Sequence, residues 1–299
     1  MRNINRILGT LALSGLAVLV SLAAAAGQTE VDETRSVAAD ASISISNIAG
    51  SVTVRGWDRG EVRITGTLGR DIEGVDVSGD EDRLDIEVDY PENGHDTGDA
   101  ELEIHVPQAC RLDVGTVSAD IDVDDLTGRL DLQTVSGDIK ARGEPSEITI
   151  ESVSGGISFL ARSEHVRIET VSGDIELDDL EGDLEVQTVS GDVAIRGREF
   201  RRLHVGSVSG DINFDGSFVA DGRYRFESHS GDVTLILPQA TDAEFEINTF
   251  SGDIDNDFGQ ESRRTSKFTP GQELRFSVGN GRADVGIDSF SGDVELRTR

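Results

Sequence analysis

The sequence predicts an all-β fold, a β-solenoid of short parallel coils resembling a parallel β-helix. Two observations lead there. A Val-Ser-Gly-Asp-Ile core recurs, with its serine at Ser118, Ser136, Ser154, Ser172, Ser190, Ser209, Ser230, Ser251 and Ser291. The residues on either side of each copy alternate apolar and polar with period two, the pattern of a strand with one buried face. The spacings between serines are 18, 18, 18, 18, 19, 21, 21 and 40. Nine copies at near-constant spacing mark a tandem repeat. The last gap is about two coils long, and a degenerate copy is expected inside it near Gly279-Asn280-Gly281.

One unit shows the logic. In Arg129–Gly143, Leu130 and Leu132 alternate with polar residues, and so do Ile139 and Ala141. The parity changes between Leu132 and Ile139, so the chain must bend around Thr134 to Asp138. Each unit then holds two short strands joined at Ser-Gly-Asp, with a second turn at residues such as Gly143-Glu144-Pro145. Two short strands cannot enclose a core alone, but stacked coils can, because each covers the next. About twelve coils at a strand spacing of about 4.8 Å would make a rod of roughly 60 Å.

The elements follow in chain order. Residues 1–26 read as a secretory signal: Arg2 and Arg6, an apolar stretch from Ile7 to Leu22, then Ala23-Ala24-Ala25-Ala26 as a small-residue cleavage site. A retained membrane anchor is the alternative, and no transmembrane segment is expected after cleavage. Cys110 lies too far downstream for lipoprotein anchoring. Residues 27–106 form an atypical N-terminal cap, since a solenoid must protect its first edge. Within it, Ile43-Ser44-Ile45 and Val52 to Asp58 read as a first coil, with Gly50-Ser51-Val52 in the Gly-Asp-Ile place. Val77-Ser78-Gly79-Asp80 is a partial copy of the motif, and Glu92 to Asp99 a polar loop. Residues 107–237 are the regular repeats. Residues 238–299 continue the solenoid with wider coils. Ten of the eleven Phe lie from Phe200 onward, and a longer coil needs larger core residues. Val106-Pro107-Gln108-Ala109-Cys110 is echoed by Leu237-Pro238-Gln239-Ala240-Thr241, and the two are expected to play equivalent parts.

The tandem Thr-Val-Ser-Gly-Asp-Ile pattern, with the early Gly56-Trp57-Asp58, resembles a bacterial adhesin-like family of β-strand-repeat proteins, a domain of unknown function. The resemblance covers roughly residues 40–299. It implies a β-solenoid of the cell envelope and supplies no catalytic residues.

Charge narrows the partners. There are 58 Asp+Glu against 27 Lys+Arg, giving a formal net charge of −31, and only Lys140 and Lys267 are lysine. Removing Arg2 and Arg6 with the signal takes −31 to −33. Nucleic acid is excluded as a partner, because phosphate binding needs a basic surface. One Cys makes no internal disulfide and no thiolate zinc site.

Candidate sites are few. Asp120, Asp138, Asp174, Asp192, Asp211, Asp232, Asp253 and Asp293 should stack coil upon coil. The ordinary reading is turn chemistry, in which Asp and Ser cap backbone amides. The sharper reading is a cation ladder for Ca²⁺ at Asp138, Asp174, Asp192, Asp211, Asp232, Asp253 and Asp293. Gly156 interrupts that column, and Ala119 replaces the glycine once. No catalytic, cofactor or metal residue is assigned. His95, His105, His165, His204 and His229 share no column, and only His229 takes the Val position of the motif. Arg196 to Arg202 holds four Arg, read as charge balance or an anion contact. Short turns leave little loop to build a cleft. The expectation is a non-enzymatic, exported envelope protein, in the periplasm rather than outside the cell, that binds or scaffolds an unidentified protein or polysaccharide. The alternatives are a carbohydrate-active β-helix enzyme and a Ca²⁺-stabilised secreted repeat protein.

Overall fold

The computed structural model describes residues 29–91, 98–265 and 270–299. The signal at 1–26 and most of the 92–99 loop, including His95, lie outside the described residues.

The chain is a β-solenoid, and its strands fall into two rows. One row enters the Ser-Gly-Asp turn and the other leaves it. The repeat length of 18 becomes the pairing register: Arg129, Glu147, His165 and Asp183 are successive parallel partners in the entering row. Ile139, Ile157, Ile175 and Val193 follow one another in the leaving row. Alternation sends Leu130, Leu132, Ile139 and Ala141 inward, and all four are buried. The core is the slab between the rows, built from about four apolar side chains per coil. The second bend uses Asp in the left-handed region, as at Asp125 (φ 61°), Asp179 (φ 58°) and Asp221 (φ 61°), a conformation Asp tolerates better than most residues.

Order along the rod departs from order along the chain at both ends. Residues 42–57 pair with 111–126 on one side and with 83–89 and 100–107 on the other. The chain thus makes its second coil on the outside of its first, then returns to the far side. Gly50 stands opposite Ala119 and Val52 opposite Ile121, so Gly50-Ser51-Val52 does take the Gly-Asp-Ile place. At the other end, residues 283–298 lie between 223–237 and 243–256. The final coil is therefore inserted between two others.

Two sequence expectations are corrected here. The 40-residue gap holds no degenerate coil. Gln272–Val278 runs antiparallel to Ala243–Ser251 and covers the outer edge, and Gly279 to Arg282 is the turn back into the inserted coil. Val77-Ser78-Gly79-Asp80 does not turn a coil either. It ends an antiparallel hairpin with Arg83–Asp89, and Asp80 Oδ1 accepts the Asp82 and Arg83 amides at 3.0 Å. Such antiparallel pieces leave an end that another parallel coil cannot extend. Eleven coils stack among the described residues, starting at 83, 42, 111, 129, 147, 165, 183, 202, 223, 283 and 243. This makes a rod of about 50 Å at ordinary strand spacing.

The longer coils hold larger side chains, as their Phe content suggests. Phe200, Phe214, Phe226 and Phe245 are fully buried, and Phe218 lies on Tyr224 at 4.1 Å between ring centres. Tyr224 donates its hydroxyl to Phe200 O at 2.6 Å, and burial pushes its pKa up to about 12. The two Pro-Gln-Ala segments form the same turn: Cys110 N–H donates to Pro107 O at 3.1 Å and Thr241 N–H to Pro238 O at 3.0 Å.

Candidate functional site: an apolar ridge along the Ser-Gly-Asp edge

The Ser-Gly-Asp turn decides what lies on that edge. Continuing the alternation from Leu132 puts Thr134 inside and Val135 outside, the reverse of what hydrophobicity dictates. Thr134 is buried and Val135 exposed. Every coil except the end coil at 83, where Val88 is buried and Asp89 exposed, turns a polar side chain inward at this place. Ile48, Val117, Val135, Val153, Val171, Val189, Val208, Phe290 and Phe250 stand 45–51 % exposed. His229 occupies the equivalent place between Val208 and Phe290, with its ring stacked on Phe290 at 4.7 Å and 7°. The parallel register places these side chains one above another, making one continuous ridge along the rod. A groove of about 950 Å³ runs beside it, from Tyr90 to Val208.

The inward hydroxyls explain why Thr or Ser is chosen beneath the ridge. Thr116 Oγ1 donates to Ala119 O at 2.9 Å, Thr249 Oγ1 to Gly252 O at 2.9 Å and Ser289 Oγ to Gly292 O at 3.1 Å. Each ties the strand to its own turn. In the middle of the rod the pattern lapses. The hydroxyls of Ser152, Thr170, Thr188 and Ser207 are buried and meet no protein hydrogen-bond partner. There Gly155 and Gly173 turn their amides to the Ser172 and Ser190 carbonyls of the next coil.

In most coils, though not at Ala119, close approach requires the motif glycine. A Cβ on Gly173 would lie 2.1 Å from Gly155 O, and its φ is 153°. A Cβ on Gly137 would sit 2.0 Å from Ala119 O.

The aspartates stack, and each but Asp253, which lies in the outermost coil and accepts from Gln272 Nε2, serves the next coil. Asp120 Oδ1 accepts the Asp138 amide at 2.9 Å, Asp192 Oδ1 that of Asp211 at 2.9 Å, and Asp293 Oδ1 that of Asp253 at 2.8 Å. Asp138, Asp174, Asp211 and Asp232 do the same for Gly156, Asp192, Asp232 and Asp293. The column is thus a chain of charge-assisted turn contacts. Among the described residues no three His, Cys, Asp or Glu side chains gather as a metal-ligand group.

The remaining sequence candidates are dispersed. Arg196 pairs with Asp178 at 3.1 Å, while Arg201 and Arg202 both reach Asp183. Hydrogen bonding from Arg202 leads the factors that hold the Asp183 carboxyl below its usual range. His165 lies 3.6 Å from Asp183 and His204 3.6 Å from Glu227. Burial pushes the Cys110 thiol up to about 12, so it stays protonated at neutral pH. Trp57 closes the first coil's turn, donating Nε1–H to Glu61 O at 2.8 Å, with Arg59 over its ring and His105 beside it.

The ridge itself escaped the sequence reading, which treated Val as part of a turn motif. The signal was available in the parity of Leu132-Gln133-Thr134-Val135. An apolar residue outside and a hydroxyl inside, repeated coil after coil, breaks the pattern that stability alone would select.

Fold and edge together define a repeat β-solenoid with an exposed apolar ridge. The chain belongs to the Toastrack family (DUF4097), whose model matches residues 19–181 and again 161–297. No functionally curated protein matches it. Solved structures with which it shares similarity include an adhesin-like protein of Bacteroides fragilis. That protein is 10% identical, with a TM-score of 0.45, over 90% of this chain and 97% of the other. A Parabacteroides distasonis protein described as lipid-binding is 11% identical, with a TM-score of 0.38, over 88% and 96%. A Clostridium sporogenes protein described as a cell adhesion protein is 12% identical, with a TM-score of 0.26, over 91% and 100%. All three TM-scores are below 0.5, so membership rests on the sequence match. Among the described residues no helix is long and apolar enough to cross a membrane.

Proposed function

We propose that the protein is an exported, non-enzymatic binding or scaffold protein of the cell envelope, adhesin-like in the broad sense, with the apolar ridge as its contact surface. The observation that carries this reading is the ridge. Large side chains half exposed in unbroken register are the kind of patch that marks an interaction site. In the middle of the rod the buried hydroxyls of Ser152, Thr170, Thr188 and Ser207 meet no protein partner, so there the Thr-in, Val-out pattern is not explained by the core. Aliphatic rungs suit a protein partner better than a polysaccharide, whose sugar rings favour aromatic platforms. The Arg2–Ala26 segment supports export, and the periplasm is the preferred location. The short turns at both bends support the absence of catalysis, since among the described residues they leave little loop to converge acid, base and cation over the strands.

The test is fractionation of cells carrying a tagged chain, followed by affinity capture with the native protein and with V135S/V153S/V171S. The reading expects an envelope location and partners lost from the variant. A cytoplasmic location, or capture indifferent to the ridge, contradicts it.

A further inference from the structure

We infer that the ridge seats an amphipathic α-helix with cationic flanks. This rests on the binding reading above and specifies the partner's chemistry. Three observations carry it.

The first is charge. The groove beside the ridge is lined by Glu87, Asp89, Glu151 and Glu169 and by no Lys or Arg. Glu169 is paired with Arg167 at 2.7 Å. Glu87, Asp89 and Glu151 have no ion pair among the described residues. The stacked turn aspartates run along the other flank. Complementary charge both favours a partner and excludes wrong ones. Beside the valines the groove row reads Gly115, Gln133, Glu151, Glu169, Gln187 and Gly206, acidic at its centre. This acidic centre and the aspartate column on the other flank together match an apolar stripe bordered by Lys or Arg. They oppose a second copy of this chain, whose ridge carries the same acidic flanks and whose net charge is −31.

The second is backbone saturation. The strands under the ridge from Val117 to Val208 are paired on both sides by neighbouring coils. A partner lying along the rod cannot add as a strand there. It must be read by its side chains.

The third is spacing. Successive rungs are about 4.8 Å apart. The apolar stripe of a helix advances one residue per about 3.5 positions, or about 5.2 Å, close to one side chain per rung. An extended strand presents same-face residues about 6.7 Å apart and drifts out of step at once. The six valines from Val117 to Val208 span five steps, about 24 Å, the length of about 16 helical residues.

The test uses the purified protein and four labelled 18-residue synthetic peptides. One carries Leu at a and d positions with Lys elsewhere. A second has the same composition in strict alternation. A third replaces Lys with Glu. A fourth keeps the Lys and replaces Leu with Ser. Fluorescence anisotropy should show the helical Leu/Lys peptide binding at least about tenfold tighter than any other. That preference should vanish in V135S/V153S/V171S and survive in Glu176→Gln on the opposite row. If the serine variant fails to fold, the β-branched V135T/V153T/V171T replaces it. Equal binding of the alternating peptide, or binding unchanged by the ridge substitutions, overturns the inference. Loss of the cellular partner from the ridge variant without any preference for the helical peptide would sink the helix alone. Retention of that partner would sink the binding reading as well.

Discussion

Phe250 and Phe290 stack face to face, with ring centres 4.8 Å apart and planes 5° from parallel. Phe250 belongs to the outermost coil and Phe290 to the coil threaded in beneath it. Their contact continues the valine ridge to the end of the rod and shows that the inserted coil keeps the common register. Both rings remain about half exposed, so the stack serves the surface rather than the core.

The ridge should therefore be dispensable for stability. V153S/V171S exchanges outward methyl groups for hydroxyls and should shift unfolding by less than about 1 kcal/mol, as surface changes usually do. Ile150→Ala or Ile168→Ala, one step inward on the same strands, should cost about 2–5 kcal/mol through the cavity left. Chemical denaturation of the three proteins checks the contrast.

Glycine should matter only where coils touch. Gly173→Ala places a methyl 2.1 Å from a carbonyl oxygen at a φ of 153°, and about 1–3 kcal/mol of strain is expected. Gly115→Ala meets nothing within 4 Å and is not at positive φ, so it should be neutral to within about 0.5 kcal/mol. Thermal melts of the pair decide this.

The Asp column should act through hydrogen bonding. Asp192→Asn keeps an acceptor for the Asp211 amide and should melt close to the native protein. Asp192→Ala should lose about 0.5–1.5 kcal/mol. EDTA should leave the melting temperature unmoved. A rise with Ca²⁺ that Asp192→Asn abolishes would instead assign cations to the column.

Acid should release the inserted coil's turn. Asp242 accepts the Arg282 Nε–H at 2.6 Å and the Asn280 amide at 2.7 Å. The Arg282 hydrogen bond leads the factors that lower its pKa to about 2. A carboxylate lowered in the folded state contributes stability above its unfolded pKa of about 4. That contribution falls away as pH drops from about 4 toward 2. Asp242→Asn should flatten this part of the stability profile, measured by melts between pH 2 and pH 5.

The solenoid was legible because the repeat length is also the pairing register: residues 18 apart, such as Ile150 and Ile168, become neighbours. The swapped ends were not legible. A period states that coils stack but not which coil sits beside which, and the Ser230, Ser251 and Ser291 motifs look alike while Ser291 partners both others. The turn chemistry could be read from the Asp side chain and from the lack of one on Gly. The ridge was hidden because Val in a strand needs no explanation until its parity is followed from Leu132 through Thr134.

Site-specific photo-crosslinking in cells tests the central claim most directly. A photoreactive residue placed at Val153, on the ridge, should give a discrete adduct, while the same residue at Glu176, on the opposite row, should give none. Equal adducts from both positions, or none from either, would contradict the ridge as the binding surface.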